Sequence, residues 1–405
     1  PKPSSAASDV YKRQSMYNER ADVAEEDKVD LLFTSRDGFF DKLQVDLAAG
    51  STAFDANLLA TYSIGKYAPF MEPISLSDEA GAVFGGTVLE TMKFDGAQYG
   101  VPTDLSLHFL YYRTGLVNAL LADDIAKARY TKIALEYLGE ALEPKSPEEW
   151  TWQDFVANAL YFTQSINPDS PTRYGTVIQA KNLLFNMMVF HSWPRSYGAD
   201  WMDAKGNITV DSEAYRAALS MANLLFKLGA TPPDSTSYEY AEANAAYSAG
   251  QVAAMVQWNA AAGDLTGAQP DTGTFAPPSG PEGRFTHIHG LGLGLNAAAT
   301  NKDGAIKFLR WMSTEEAAIA YAVAGGSPGL AAETAAKLSD DRPDLVQSGE
   351  YASTYGFVMN GGTSGNALSV YEAQAKEFTG FWAGTQDLDT ACLLYTSDAA
   401  DEGLG

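Results

Sequence analysis

The chain has 405 residues, too many for one ordinary core and suited to two domains, and its 27 basic against 51 acidic side chains leave a formal net charge of −24. Such a surface repels phosphate backbones, which argues against a nucleic-acid partner. No apolar run approaches the roughly 20 residues of a membrane span, and the single cysteine, Cys392, excludes a disulfide framework and a cysteine-based zinc site.

Both ends read as foreign. Residues 1–14 and 392–405 resemble translated sequencing-adapter read-through and are set apart as adapter-like tails. The body between them is expected to be truncated at its N- and C-terminal ends, so a missing signal peptide carries no message about location.

Val29 to Thr34 reads as a short buried strand, and Phe39 to Ala49 has helical spacing with Phe40, Leu43 and Leu47 on one face before the stop at Gly50. A strand at Ala56 to Ala60 follows, and this order predicts a parallel α/β layer. Asp95-Gly96 marks a hairpin turn within Met92 to Val101. Thr103 to Tyr112 reads as one strand: Leu105, Leu107 and Phe109 share one face, while Asp104, Ser106 and His108 share the other.

Thr151 with Asp154 predicts a capped helix to about Gln164, and Ser212 caps another through Leu228. Tyr240 to Ala249 is a helix stopped by Gly250, and Val252 to Gln257 is an apolar strand ending at Trp258-Asn259. Thr272 to Arg284 is rich in Gly and Pro and reads as loop; His287 to Leu295 reads as strand. Asn301 caps a helix to Met312, Ser313 or Thr314 caps one to Ala324, and a last amphipathic helix covers about 366–382.

Six ordered segments carry a family resemblance: Phe40 to Gly50; Tyr99-Gly100-Val101-Pro102 running into Leu110-Tyr111-Tyr112; Tyr240 to Met255; His289 to Asn296; Asn301 to Trp311; and Gly325-Gly326-Ser327-Pro328. Over residues 15–391 the chain resembles the extracellular solute-binding proteins of ABC sugar importers, the maltose-binding-protein-like family. The resemblance implies an α/β fold of two doubly wound lobes with a hinge. Lobe 1 is expected at 15–114 and 272–312, lobe 2 at 115–271 and 313–391, with crossovers near 112–116, 258–272 and 312–327. Relatives carry a strand and most of a helix before the segment matching Val29–Thr34, so lobe 1 is expected to lack a strand. The implied function is binding of a sugar or oligosaccharide in the cleft between lobes and its delivery to ABC permease subunits. The chain is then a monomer, periplasmic or extracellular and lipid-anchored, and needs no cofactor.

A sugar ring offers a C–H face for an aromatic ring and a hydroxyl rim for carboxylates, amides and backbone groups. Thr61 and Tyr62 follow the strand at Ala56–Ala60, where the resemblance puts the ligand. Asp104 and Ser106 lie on the polar face of their strand. The resemblance also implicates Trp193, Trp201 and the strand end Trp258-Asn259. His289 is a hydrogen-bond candidate, and Gly326 and Ser327 could offer backbone N–H groups. Trp150, Trp152, Trp311 and Trp382 read as packing, and Tyr111-Tyr112, which resembles the paired tyrosines of iron-binding relatives, as strand core. His287 and His289 fall on one strand face, yet no partnering carboxylate motif makes them a metal site.

Hydrolase, nucleotide and zinc-protease motifs are missing from the sequence, so no residue is assigned a catalytic role. Two other classes stay open: a carbohydrate-active enzyme, for which only one carboxylate, Asp104, can be placed, and a binder of an organic anion or metal, for which Arg36 and Arg195 are the available cations.

Overall fold

The computed structural model describes residues 14–32, 39–203, 205, 207, 209 and 211–401. Helix α1 (Phe39–Ala48) turns Leu43 and Leu47 inward, and the chain leaves it at Gly50 with φ 66°, a conformation that costs glycine little. The two leucines join Leu59, Ile64, Tyr67, Met71 and Met92 in one buried cluster. Burying each leucine contributes about 1.5–3 kcal/mol. Strands β1 (Ala56–Ala60) and β2 (Met71–Glu72) follow. Asp95 and Gly96, with φ 47° and 74°, form the turn between β3 (Lys93–Phe94) and β4 (Ala97–Gln98). The segment expected as one strand is two, β5 (Gly100–Ser106) and β6 (His108–Arg113), with Leu107 between them.

Helix α2 (Trp152–Tyr161) starts at a reciprocal cap: Asp154 N–H donates to the Thr151 hydroxyl, and Thr151 N–H donates to the Asp154 carboxylate. Next come β7 (Tyr174–Thr176), α3 (Glu213–Lys227, capped by Ser212), α4 (Tyr240–Ser248) and β8 (Val252–Trp258). After them lie β9 (Thr272–Phe275), β10 (Ser279–Gly280), β11 (Gly283–Arg284) and β12 (His289–Asn296). Helices α5 (Lys302–Met312) and α6 (Glu315–Val323) are capped by Asn301 and Thr314, and α7 (Ala367–Trp382) and α8 (Leu388–Asp401) complete the labelled elements.

Two compact units result. The first holds the chain up to Leu107 and Ile288–Ala367; the second holds His108–His287 and the chain from Leu368 onward.

In the first unit β12 is central. β1 pairs with it antiparallel from Ala56↔Leu295 to Ala60↔Leu291, and β5 pairs antiparallel from Gly100↔Gly294 to Ser106↔His289. β1 and β5 therefore run the same way but are separated by β12, which is antiparallel to both. Glycines make this insertion possible. A Cβ on Gly290, Gly292 or Gly294 would lie 2.4–2.6 Å from side-chain atoms of Thr91, Met92 or Met71. In the second unit the strand order is β7-β8-β6-β9, parallel between β7 and β8 and antiparallel elsewhere.

Other expectations change. Val29–Leu32 form no strand: Asn18 satisfies both the N–H and the carbonyl of Val29, and Leu32 is exposed. Phe33 and Thr34 lie outside the described residues. The expected loop at 272–284 contains β9, which pairs with β6, and the β10–β11 hairpin. Residues 313–367, expected in lobe 2, belong to the first unit. Tyr321 bonds Asp104, Ala331 N–H donates to the Val83 carbonyl, and Thr334 bonds the Ala82 carbonyl. The chain passes between units at Leu107–His108, His287–Ile288 and Ala367–Leu368 rather than at the three expected crossovers. Of the tails, residues 1–13 and 402–405 lie outside the described residues. Cys392, expected to be loose, is buried on α8, which packs on α3 through an Arg216–Asp389 ion pair.

Candidate functional site

The strand directions of the first unit put the carboxyl ends of β1 and β5 beside the first residue of β12. Thr61, Tyr62, Ser106 and His289 meet there, drawn from three separate stretches of sequence. The Thr61 hydroxyl accepts from Gly290 N–H at 2.7 Å and bonds the Gly290 carbonyl at 3.2 Å, so it ties the end of β1 to β12. Tyr62 is buried, with its ring edge-on to His289 (centroids 6.3 Å apart) and to Phe40 (5.7 Å). Ser106, half-buried, is the cross-strand partner of His289.

Asp104 sits two residues back on β5. Both its carboxylate oxygens accept from the Tyr321 hydroxyl, at 2.6 and 2.7 Å, and one also accepts from Ser327 N–H at 3.2 Å. Leu105 N–H donates to the Ser327 carbonyl, so the 325–328 loop is stitched to β5. The expected donor at Gly326 is corrected: its N–H goes to the Tyr321 carbonyl at 3.0 Å, and its carbonyl accepts from Arg342. A Cβ at this position would lie 2.3 Å from the Tyr321 ring. Tyr321 escaped the sequence reading because a tyrosine inside an alanine-rich helix carries no local mark of its distant partner.

In the second unit β8 ends at Trp258, opposite His108, the first residue of β6. The indole and imidazole centroids are 4.3 Å apart. Three further contacts fix this strand end. Trp258 N–H donates to the Gln257 side chain at 2.9 Å, and the Tyr111 hydroxyl donates to the carbonyls of Trp258 and Asn259 at 3.0 and 3.3 Å. Gln257 in turn donates to Asn244 at 2.9 Å. The lone Gln257 that closes the apolar run Val252-Ala253-Ala254-Met255-Val256 was the available signal for this support. Trp258 and Asn259 stay half-buried, which leaves part of each accessible.

Trp193 and Trp201 take interior positions instead. Trp193 stacks on Trp152 at 4.1 Å and 9°; Trp201, fully buried, packs against His191 and Tyr371. Trp150, Trp152, Trp311 and Trp382 are buried, as are Tyr111 and Tyr112.

The histidines do not share one surface. His287 lies in the second unit, where its ring bonds the Tyr371 hydroxyl at 3.2 Å; His289 lies in the first, beside Tyr62. Burial pushes the imidazoles of His108 and His191 down to about 3, and His191 donates from Nε2 to the Gln374 side-chain carbonyl at 2.8 Å. Both are neutral at ordinary pH. Among the described residues no group of three or more His, Cys, Asp or Glu is arranged to hold a metal ion. Arg195 is paired with Asp200 at 2.7 Å; Arg36 lies outside the described residues. No described helix is long and apolar enough to cross a membrane.

Each unit thus presents rings and polar groups at its strand ends: Tyr62, Asp104, Ser106 and His289 in the first, Trp258 and Asn259 in the second. Comparison with known proteins agrees with this architecture. A solved structure described as maltose-bound MalE3 of T. maritima is similar with a TM-score of 0.74 at 21% identity, covering 98% of this chain and 96% of that one. An ABC transporter solute-binding protein from Thermotoga lettingae, bound with α-D-tagatose, is similar with a TM-score of 0.74 at 15% identity, covering 99% and 96%. A probable amino-acid ABC transporter periplasmic-binding protein, y4oP of Sinorhizobium fredii, is 28% identical over 143 residues, 35% of this chain. That match spans only about a third (32%) of the curated relative's length. The profile of the bacterial extracellular solute-binding proteins matches residues 14–319, more than half of the chain. With its α/β fold shared across nearly its whole length, the chain belongs to the bacterial extracellular solute-binding protein family.

Proposed function

We propose that the chain binds a sugar or short oligosaccharide, leaves it chemically unchanged, and hands it to the permease subunits of an ABC importer. The observation that carries this is the half-buried Trp258-Asn259 pair, held rigidly at the carboxyl end of β8 by Gln257, Tyr111 and His108. An indole face stacks on sugar C–H groups, and an adjacent amide serves the hydroxyl rim. The first unit carries groups of the same kind at its own strand ends: the Tyr62 ring, Ser106, His289 and the Asp104 carboxylate. The maltose and tagatose named for similar structures support this ligand class. The protein works as a monomer in the periplasm, or outside the cell on a lipid anchor.

A second reading, an amino acid as ligand, is favoured by the description of the Sinorhizobium relative. Against it, Arg113, Arg195 and Arg342 are each engaged by an aspartate, and an α-carboxylate needs a cation. The test is a thermal-shift and calorimetry panel of maltose, maltotetraose, galactose, tagatose and the common amino acids. A sugar should raise the melting temperature as ligand binding demands and be recovered intact. Stabilisation by amino acids alone, or release of cleaved glycoside, would overturn the proposal.

A further inference from the structure

We infer that Tyr321 is a positioning residue for sugar recognition, acting through Asp104, and that Asp104 accepts a single ligand hydroxyl. The inference rests on the proposed carbohydrate function and deepens it.

An ionised carboxylate offers about four lone-pair sites. The Tyr321 hydroxyl lies 2.6 and 2.7 Å from the two Asp104 oxygens, and Ser327 N–H takes a further site on Oδ1 at 3.2 Å. That leaves acceptor capacity chiefly on Oδ2. The carboxylate is half-buried, so the remaining site is reachable while the group cannot rotate freely. Tyr321 is itself immobile. Its ring fills the space a Cβ at residue 326 would need, and its carbonyl accepts from Gly326 N–H. Arg342 clamps the far side, donating to the carbonyls of Ala322 and Gly326 while paired with Asp344. A carboxylate held this way pays little ordering entropy on binding, and it discriminates sugars by the one hydroxyl it can accept.

The test is a double-mutant cycle with Y321F and D104N in the full chain, read by calorimetry with the tightest-binding sugar of the panel above. Y321F keeps the ring packing and removes only the hydroxyl. It should weaken binding about tenfold, the scale of one charge-assisted hydrogen bond, while the melting temperature changes little. In the D104N background the same substitution should have a much smaller effect, because the charged carboxylate it positions is gone. Equal effects in both backgrounds, or a Y321F protein with wild-type affinity and a lower melting temperature, would make the contact a purely structural clamp. If the wild-type chain binds no sugar at all, the carbohydrate reading falls first and this inference with it. Sugar binding that is insensitive to Y321F overturns the inference alone.

Discussion

Trp258 and His108 face each other as cross-strand partners at the end of one sheet, their ring centroids 4.3 Å apart. Trp258 is half-buried, and His108 is fully enclosed. The pair therefore joins a candidate ligand platform to a titratable group that stays neutral.

The contrast between Trp258 and Trp201 separates binding from packing. W258A should weaken sugar binding by about 1–3 kcal/mol, the range for truncating an anchor residue, with a smaller loss of folding stability. W201A removes a fully buried ring packed on His191 and Tyr371. It should cost about 3–5 kcal/mol of stability, as other buried large-to-small changes do. Calorimetry and urea denaturation on both variants check this. A W258A protein that unfolds while keeping its affinity would move Trp258 into the core.

Acid should destabilise the second unit through its imidazoles. His108 and His191 titrate near 3 when folded, because burial penalises their charged forms, against about 6.5 when exposed. Between these values the unfolded chain binds protons that the folded chain does not. Stability is therefore complete above about pH 6.5 and falls as pH drops toward 3. H191Q should flatten the slope of the urea midpoint between pH 7 and 4.5. An unchanged slope would show that the imidazole is not the group responsible.

Cys392 should resist thiol reagents in the folded protein. Its side chain is fully buried, and burial pushes the thiol up to about 11, so little thiolate exists at pH 8. A disulfide-exchange reagent should react at least about tenfold faster in urea than in buffer. Equal rates would mean that α8 does not stay docked on α3.

Short-range chemistry was legible without the fold. The caps at Thr151, Ser212, Asn301 and Thr314, the Asp95-Gly96 turn, and the stops at Gly50 and Gly250 involve groups a few residues apart, and all appear in the structure. The ordered segments carried the family for a similar reason, since each preserves a local element in sequence order. The strand end at Trp258-Asn259 was also readable, because the apolar run stops there.

What the tertiary structure decided was pairing over distance. Nothing local states that β12 inserts between β1 and β5, or that residues 313–367 pack with the first unit. Nor does local sequence distinguish an indole such as Trp193, stacked on Trp152, from one left half open such as Trp258. Both are large apolar rings whose burial is favourable wherever space allows. Periodicity reports which face of an element is apolar, whereas the partner that covers that face is chosen by the packing of the whole chain. Asp104 shows the same limit. Its place on a polar strand face followed from alternation, but its Tyr321 partner came from a helix that only folding brings near.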